Sequence, residues 1–172
     1  MLRLMGTYEE DGPKYAAEEQ EILTSNNSAL KSHFFHLAYL NFMFRSYEDT
    51  KDYIEKYFAC SEKAWANLFM NHAVHAFYIG LISFWVARKS SNEQEWNVRG
   101  SKSKAALKQW AQSSRWTFEN KVYLLEAEES YCNNDFDAAK TFYDKAISSA
   151  KEHKVSGGVE LDELETSFLY TF

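Results

Sequence analysis

The chain has 172 residues, 45% of them hydrophobic and 17% aromatic, with one Pro and six Gly. That is enough apolar material for one domain with a buried core, and it excludes the composition of a disordered chain. A formal charge of −6, from 25 acidic and 19 basic residues, disfavours a nucleic-acid partner, whose phosphates need concentrated Lys and Arg; the small basic group Arg99, Lys102, Lys104 and Lys108 does not reverse the balance.

In chain order, Met1 to Gly6 is followed by Glu9, Glu10 and Asp11 before an apolar core can build, so a signal peptide is not expected. A first helix is expected over Pro13–Leu23, with Pro in its first turn, and Thr24 to Asn27 breaks it. A second runs from about Ser28 to Arg45; its stretch Phe34 to Phe44 is apolar almost all round, which predicts burial on several sides. Ser46 with Asp49 three residues on looks like a capping box opening a third helix, about Tyr47 to Lys63. From Ala64 to Ala87 there is no formal charge, and Arg88 and Lys89 follow. That outline suits a membrane span, but Asn67, Asn71, His72 and His75 crowd its first half, so a buried helix is the reading and no span is expected. Lys89 to Asn92 is a polar break, and a further helix runs from about Glu93 to Ser113, with Gly100 expected to mark a kink or a split. Thr117 to Cys132 follows, with Leu124, Ala127 and Tyr131 on one face and Glu126, Glu128 and Glu129 mostly off it. Asn133-Asn134 turns the chain and Asp135 caps the helix from Phe136 to about His153, whose inward side carries Phe136, Ala139, Tyr143, Ala146, Ile147 and Ala150. Gly157-Gly158 ends it, and Glu160–Phe172 offers a last stripe of Leu161, Leu164 and Phe168.

An internal pattern links three of these helices: a small residue, then an aromatic four positions later. Ala38 precedes Phe42, Gly80 precedes Phe84, and Ala127 precedes Tyr131. The small residue lets a neighbouring helix approach, and the ring fills the space beside it. Repetition of that kind reads as αα-hairpins that bury their faces by stacking on one another. The expected fold is all-α: a single helical-repeat domain over residues 1–172, an αα-hairpin solenoid of three to four stacked helix pairs. Its parts are the first hairpins at 13–63, a long central hairpin at 64–114, the best-defined hairpin at 117–154 and a terminal helix at 160–172.

That best hairpin resembles a tetratricopeptide repeat. Tyr123, Ala127 and Tyr131, the turn Asn133-Asn134-Asp135-Phe136-Asp137-Ala138-Ala139, then Tyr143 and Ala146, fall at the motif's spacing. Glu126 stands where the motif prefers Leu, and no Pro closes the repeat near Lys151. More widely, the stretches Ala17 to Leu23, Phe77 to Leu81 with Ala87-Arg88, Leu107 to Ala111, Asn120 to Glu128 and Ala146 to His153 are similar to the helical-repeat region of large multidomain signalling ATPases. In those proteins a kinase-like domain and an AAA-type ATPase precede the repeats, and a sensor domain, histidine kinase or cyclase often follows. The resemblance implies a module that relays or scaffolds. It brings no catalytic residues, and the chain has neither a phosphate-binding loop nor a kinase motif set.

Several constellations are candidates for chemistry. His33/His36 and His72/His75 are pairs three apart, and two such pairs on facing helices could hold a transition metal. The plainer reading is two pairs of helix-face histidines, and a metal- or small-ligand-binding bundle is the alternative function. Glu126, Glu128, Glu129, Asp135 and Asp137 could be acid–base groups, but a carboxylate run on a helix is expected to be a solvated face. Cys60 and Cys132 lack CxxC spacing and a neighbouring base; they read as free thiols of a reducing, cytoplasmic setting. Trp65, Trp85, Trp96, Trp110 and Trp116 fill space between hairpins or line a groove for a peptide. Asn41, Asn67, Asn71 and Lys121 are nominated as polar groups of such a groove. No catalytic residue, metal or cofactor is assigned. The expected function is a non-enzymatic protein-interaction or regulatory scaffold whose partner is a protein or a neighbouring domain, with a partner or dimer contact at Phe168, Leu169, Tyr170 and Phe172.

Overall fold

A computed structural model of the chain describes residues 27–60, 69–90 and 93–152. Among them every regular element is an α-helix: α1 Asn27–Met43, α2 Tyr47–Ala59, α3 Phe69–Ala87, α4 Glu93–Ala111, α5 Arg115–Cys132 and α6 Phe136–Glu152. The expected end helices Pro13–Leu23 and Glu160–Phe172, and the start of the uncharged run, lie outside the described residues. Contacts divide the chain into two compact units, Met1–Ala66 and Asn67–Phe172.

In the first unit α1 packs on α2. Phe35, Ala38 and Phe42 sit at helical spacing on the buried side of α1, and Thr50, Ile54 and Tyr57 do the same on α2. Phe35 and Tyr57 join the two, with ring centres 6.2 Å apart. Lys31 is buried too, its ammonium 4.9 Å from the centre of the Tyr57 ring. At the turn, Arg45 takes the left-handed conformation, φ 61°. Ser46 N then donates to Asn41 O at 2.9 Å and closes the helix end. The expected capping box forms only in part: the Ser46 hydroxyl donates to Asp49 at 2.7 Å and caps no backbone N–H.

In the second unit α3 packs on α4 and on α5, α4 packs on α5, and α5 packs on α6. The uncharged sequence of α3 is explained by burial, since Leu81 to Ala87 are all covered. No helix among the described residues is long and apolar enough to cross a membrane. Gly80 is where α3 touches two neighbours at once. A Cβ there would stand 2.8 Å from a Leu125 methyl of α5 and 3.2 Å from Ser103 Cβ of α4. Gly100 does not split its helix, because α4 runs unbroken from Glu93 to Ala111. Its missing side chain instead admits the Phe84 ring, which a Cβ would meet at 2.7 Å.

The α5–α6 turn repeats the α1–α2 turn bond for bond. Asn134 is left-handed at φ 62°, and Asp135 N donates to Ser130 O as Ser46 N does to Asn41 O. The following helix starts with Ala139 N on Asp135 O in the one case and Thr50 N on Ser46 O in the other. Asp135 also caps as expected, its Oδ1 accepting from Ala138 N at 3.1 Å. These matched turns stand at the same displacement in sequence that separates Ala38 from Ala127, both of which have no solvent exposure. The α3–α4 connection is different: Ser90 N bonds Ala87 O, and no residue described there is left-handed.

Candidate functional site

The densest polar chemistry lies along α5, which has α4, α6 and α3 as neighbours. Its carboxylates were expected on a solvated face, and the structure corrects that reading. Glu128 is 5% exposed. Its Oε2 accepts from the Arg88 guanidinium, just beyond α3, and its Oε1 from the Tyr143 hydroxyl of α6. Arg88 also covers the Tyr131 ring, 4.8 Å from its centre. Glu129 accepts from Lys104 and, at 2.6 Å, from Ser101, both on α4. Glu126 pairs with Lys108 of α4 at 2.5 Å. Glu119 accepts from Arg115 at 2.6 Å and from Ser149 of α6 at 3.1 Å. Packing on three sides turns a run of acids into a set of clamps, one neighbour at a time.

The electrostatics follow from these partners. Burial alone pushes Glu129 upward, but bonds from Lys104 and Ser101 outweigh it and hold the carboxyl below its usual range. Glu119 is likewise lowered, with Arg115 and Ser149 overcoming burial. Burial, then the Glu128 charge, raises the Tyr143 phenol. Both oxygens of Glu128 are thus engaged, Oε2 by Arg88 and Oε1 by Tyr143.

The thiols are quiet. Cys132 is buried and donates to Phe84 O at 3.2 Å. Burial pushes it up to about 12, helped by Glu128, Glu93 and Glu129 and opposed by Arg88. Burial also raises Cys60, against the nearby Lys31 charge. Burial thus moves both thiols away from the thiolate form that an activated nucleophile needs.

The histidine pairs fall in different units, His33/His36 on α1 and His72/His75 on α3. His36 is exposed with Nδ1 2.6 Å from Ser32 O of its own helix, and His33 lies against the Phe34 ring. His72 is exposed and His75 buried. Among the described residues no group of three or more His, Cys, Asp or Glu is placed to hold a metal ion.

Of the nominated groove residues, Asn41 turns onto its own helix, donating to Leu37 O at 2.8 Å. Lys121 reaches from α5 over the Phe77 ring of α3, 5.8 Å from its centre. Asn67 and the side chain of Asn71 lie outside the described residues, as do Trp65 and the apolar residues from Phe168 to Phe172. Trp85 and Trp96 are core, Trp110 packs on Phe118, and Trp116 is exposed. Of the basic group, Arg99, Lys104 and Lys108 each hold a carboxylate. A broad surface depression of about 790 Å³ runs along α4 from Glu93 to Ala105, lined among the described residues by that helix alone.

Two positions assigned to buried faces from the sequence are exposed. Tyr131 is 40% and Phe136 is 55% accessible, and their rings meet edge-on with centres 5.1 Å apart. Both flank the α5–α6 turn, where the helical spacing that marked them as inward runs out at the end of the packed pair. Compared with protein-family models, with curated proteins and with solved structures, the chain matches none.

Proposed function

We propose that the chain is a non-enzymatic helical-repeat module, a tetratricopeptide-like stack of αα-hairpins that serves as a protein-interaction or regulatory scaffold. The repeat region of signalling ATPases is the kind of module meant, and a cytoplasmic setting suits its two free thiols. The observation that carries this reading is the recurrence of one turn. The α1–α2 and α5–α6 turns share their hydrogen bonds and their left-handed residue, at the displacement set by Ala38 and Ala127. The contact of α3 on α5 supports it as well, since the first helix of one pair then packs on the first helix of the next, with Gly80 at the meeting point. The acids of α5 hold neighbouring helices together, which leaves surface as the working part of the molecule.

The test is capture of partners by the tagged full chain from extract of its source, competed with untagged chain. The expected result is a saturable protein partner in stoichiometric amount, with metal content at background. The reading fails if no protein is displaced by competition and the purified chain instead holds about one transition-metal ion that is lost in His36→Ala or His72→Ala. That outcome would favour the ligand-binding bundle.

A further inference from the structure

We infer that the end of the second unit formed by the α5–α6 turn docks a short cationic segment of a protein partner, one or two bulky apolar side chains flanked by Lys or Arg. This rests on the interaction-module reading and names the partner class for it.

The anchor is the ring pair. Tyr131 and Phe136 are in edge contact at 5.1 Å and are both among the large apolar side chains left exposed. Arg88 lies over the Tyr131 ring and is itself bound by the buried Glu128, so Tyr131 is braced before anything binds. The same Arg88 contact brings the end of α3 to this end of the unit, and Glu93 is the first residue of the helix that follows, α4. The Glu93 charge is among those that raise the Cys132 thiol.

The rim supplies the charge. Each α5 acid named above has a cation, Glu119, Glu126, Glu128 and Glu129 alike. Glu93, Asp135 and Asp137 are exposed and have no ion pair among the described residues. Besides Arg88, which Glu128 neutralises, two cations are at this end: Lys89, which lies over the Trp85 ring, and Lys140, one turn further down α6. The balance around the rings is therefore acidic. A cationic partner gains from the carboxylates and, over the faces of the rings, from cation–π attraction. An acidic segment or an anionic surface is repelled.

The probe is the fluorescent, end-blocked peptide Lys-Lys-Leu-Leu-Lys-Lys, titrated into the full chain beside Glu-Glu-Leu-Leu-Glu-Glu and Lys-Lys-Ser-Ser-Lys-Lys. The first should bind, and the other two should bind at least about tenfold more weakly. Phe136→Ser should weaken the first about tenfold with unchanged helicity and melting temperature, because the residue is exposed. Asp135→Asn with Asp137→Asn keeps the helix cap, since Asn caps as well as Asp. It should weaken binding by about threefold and flatten its salt dependence. Absence of binding, equal binding of all three peptides, or indifference to both variants overturns the proposal. So does sedimentation showing a dimer that Phe136→Ser abolishes, because the occupant is then a second copy. If the partner captured from extract binds Phe136→Ser undiminished, this end is not the site and the module reading stands without it.

Discussion

At single residues the packing is decided by what a side chain would hit. Replacing Gly100 by Ala gains about 1 kcal/mol of helix propensity. It also drives a Cβ to within 2.7 Å of the Phe84 ring, which has no exposed surface and little room to turn away. Overpacking of that kind costs about 1–3 kcal/mol. Gly100→Ala is therefore expected to lower the urea midpoint with an unchanged slope, and a higher midpoint would mean that the ring has somewhere to go. Arg88 and Glu128 give a second test. Truncating one leaves the other charge buried or half-buried, for about 3–5 kcal/mol, whereas the paired change Arg88→Met with Glu128→Leu should recover most of it. A double-mutant cycle by chemical denaturation reads the difference, and additive single effects would show that the pair does not hold α3, α5 and α6 together.

At the scale of elements the α1–α2 and α5–α6 turns match. Asn134 is left-handed, a conformation that Asn tolerates and a β-branched residue resists. Asn134→Val should cost about 1–2 kcal/mol and Asn134→Gly should be neutral or mildly stabilising, measured by thermal unfolding. Equal effects of the two would show that the turn relaxes out of this geometry. The helices around these turns were legible in the sequence because their signals are local. The Asn-Asn break, the Asp135 cap and the run of polar residues after Ala87 all fall where helices end or begin. The carboxylates of α5 were not legible, since periodicity gives the face but not what three neighbours bring to it. Arg88 meets Glu128 with the whole of α4 between them in sequence, and no spacing rule reaches that far. The exposure of Phe136 and Tyr131 was missed for a related reason. They keep helical register with the core residues but stand at the end of the packed pair. The use of Gly100 was not legible, because propensity registers its cost inside a helix and is blind to the ring that needs the space.

For the whole molecule, α5 is the strut of the second unit, and its clamps give the fold an acid limit. Glu129 and Glu119 titrate below the usual carboxyl value of 4.5 in the folded chain. Their contribution is complete above that pH, where both folded and unfolded forms are ionised. It is lost as pH falls through the lowered folded values, because the unfolded chain takes up the protons first. Stability should decline below about pH 4.5, and Glu129→Gln should make that decline shallower. Identical acid limbs for the variant and the parent chain would remove Glu129 from the account. The functional reading needs such a rigid body, since a scaffold recognises its partner with a surface that is already formed. Hydrogen exchange of the full chain, followed peptide by peptide with and without the captured partner, tests that most directly. The amides of α5 are expected to be protected beforehand and unchanged on binding, with new protection confined to exposed segments. Partner-induced protection throughout α5 would contradict it, because the helix pairs would then form only on binding and no preformed module would exist.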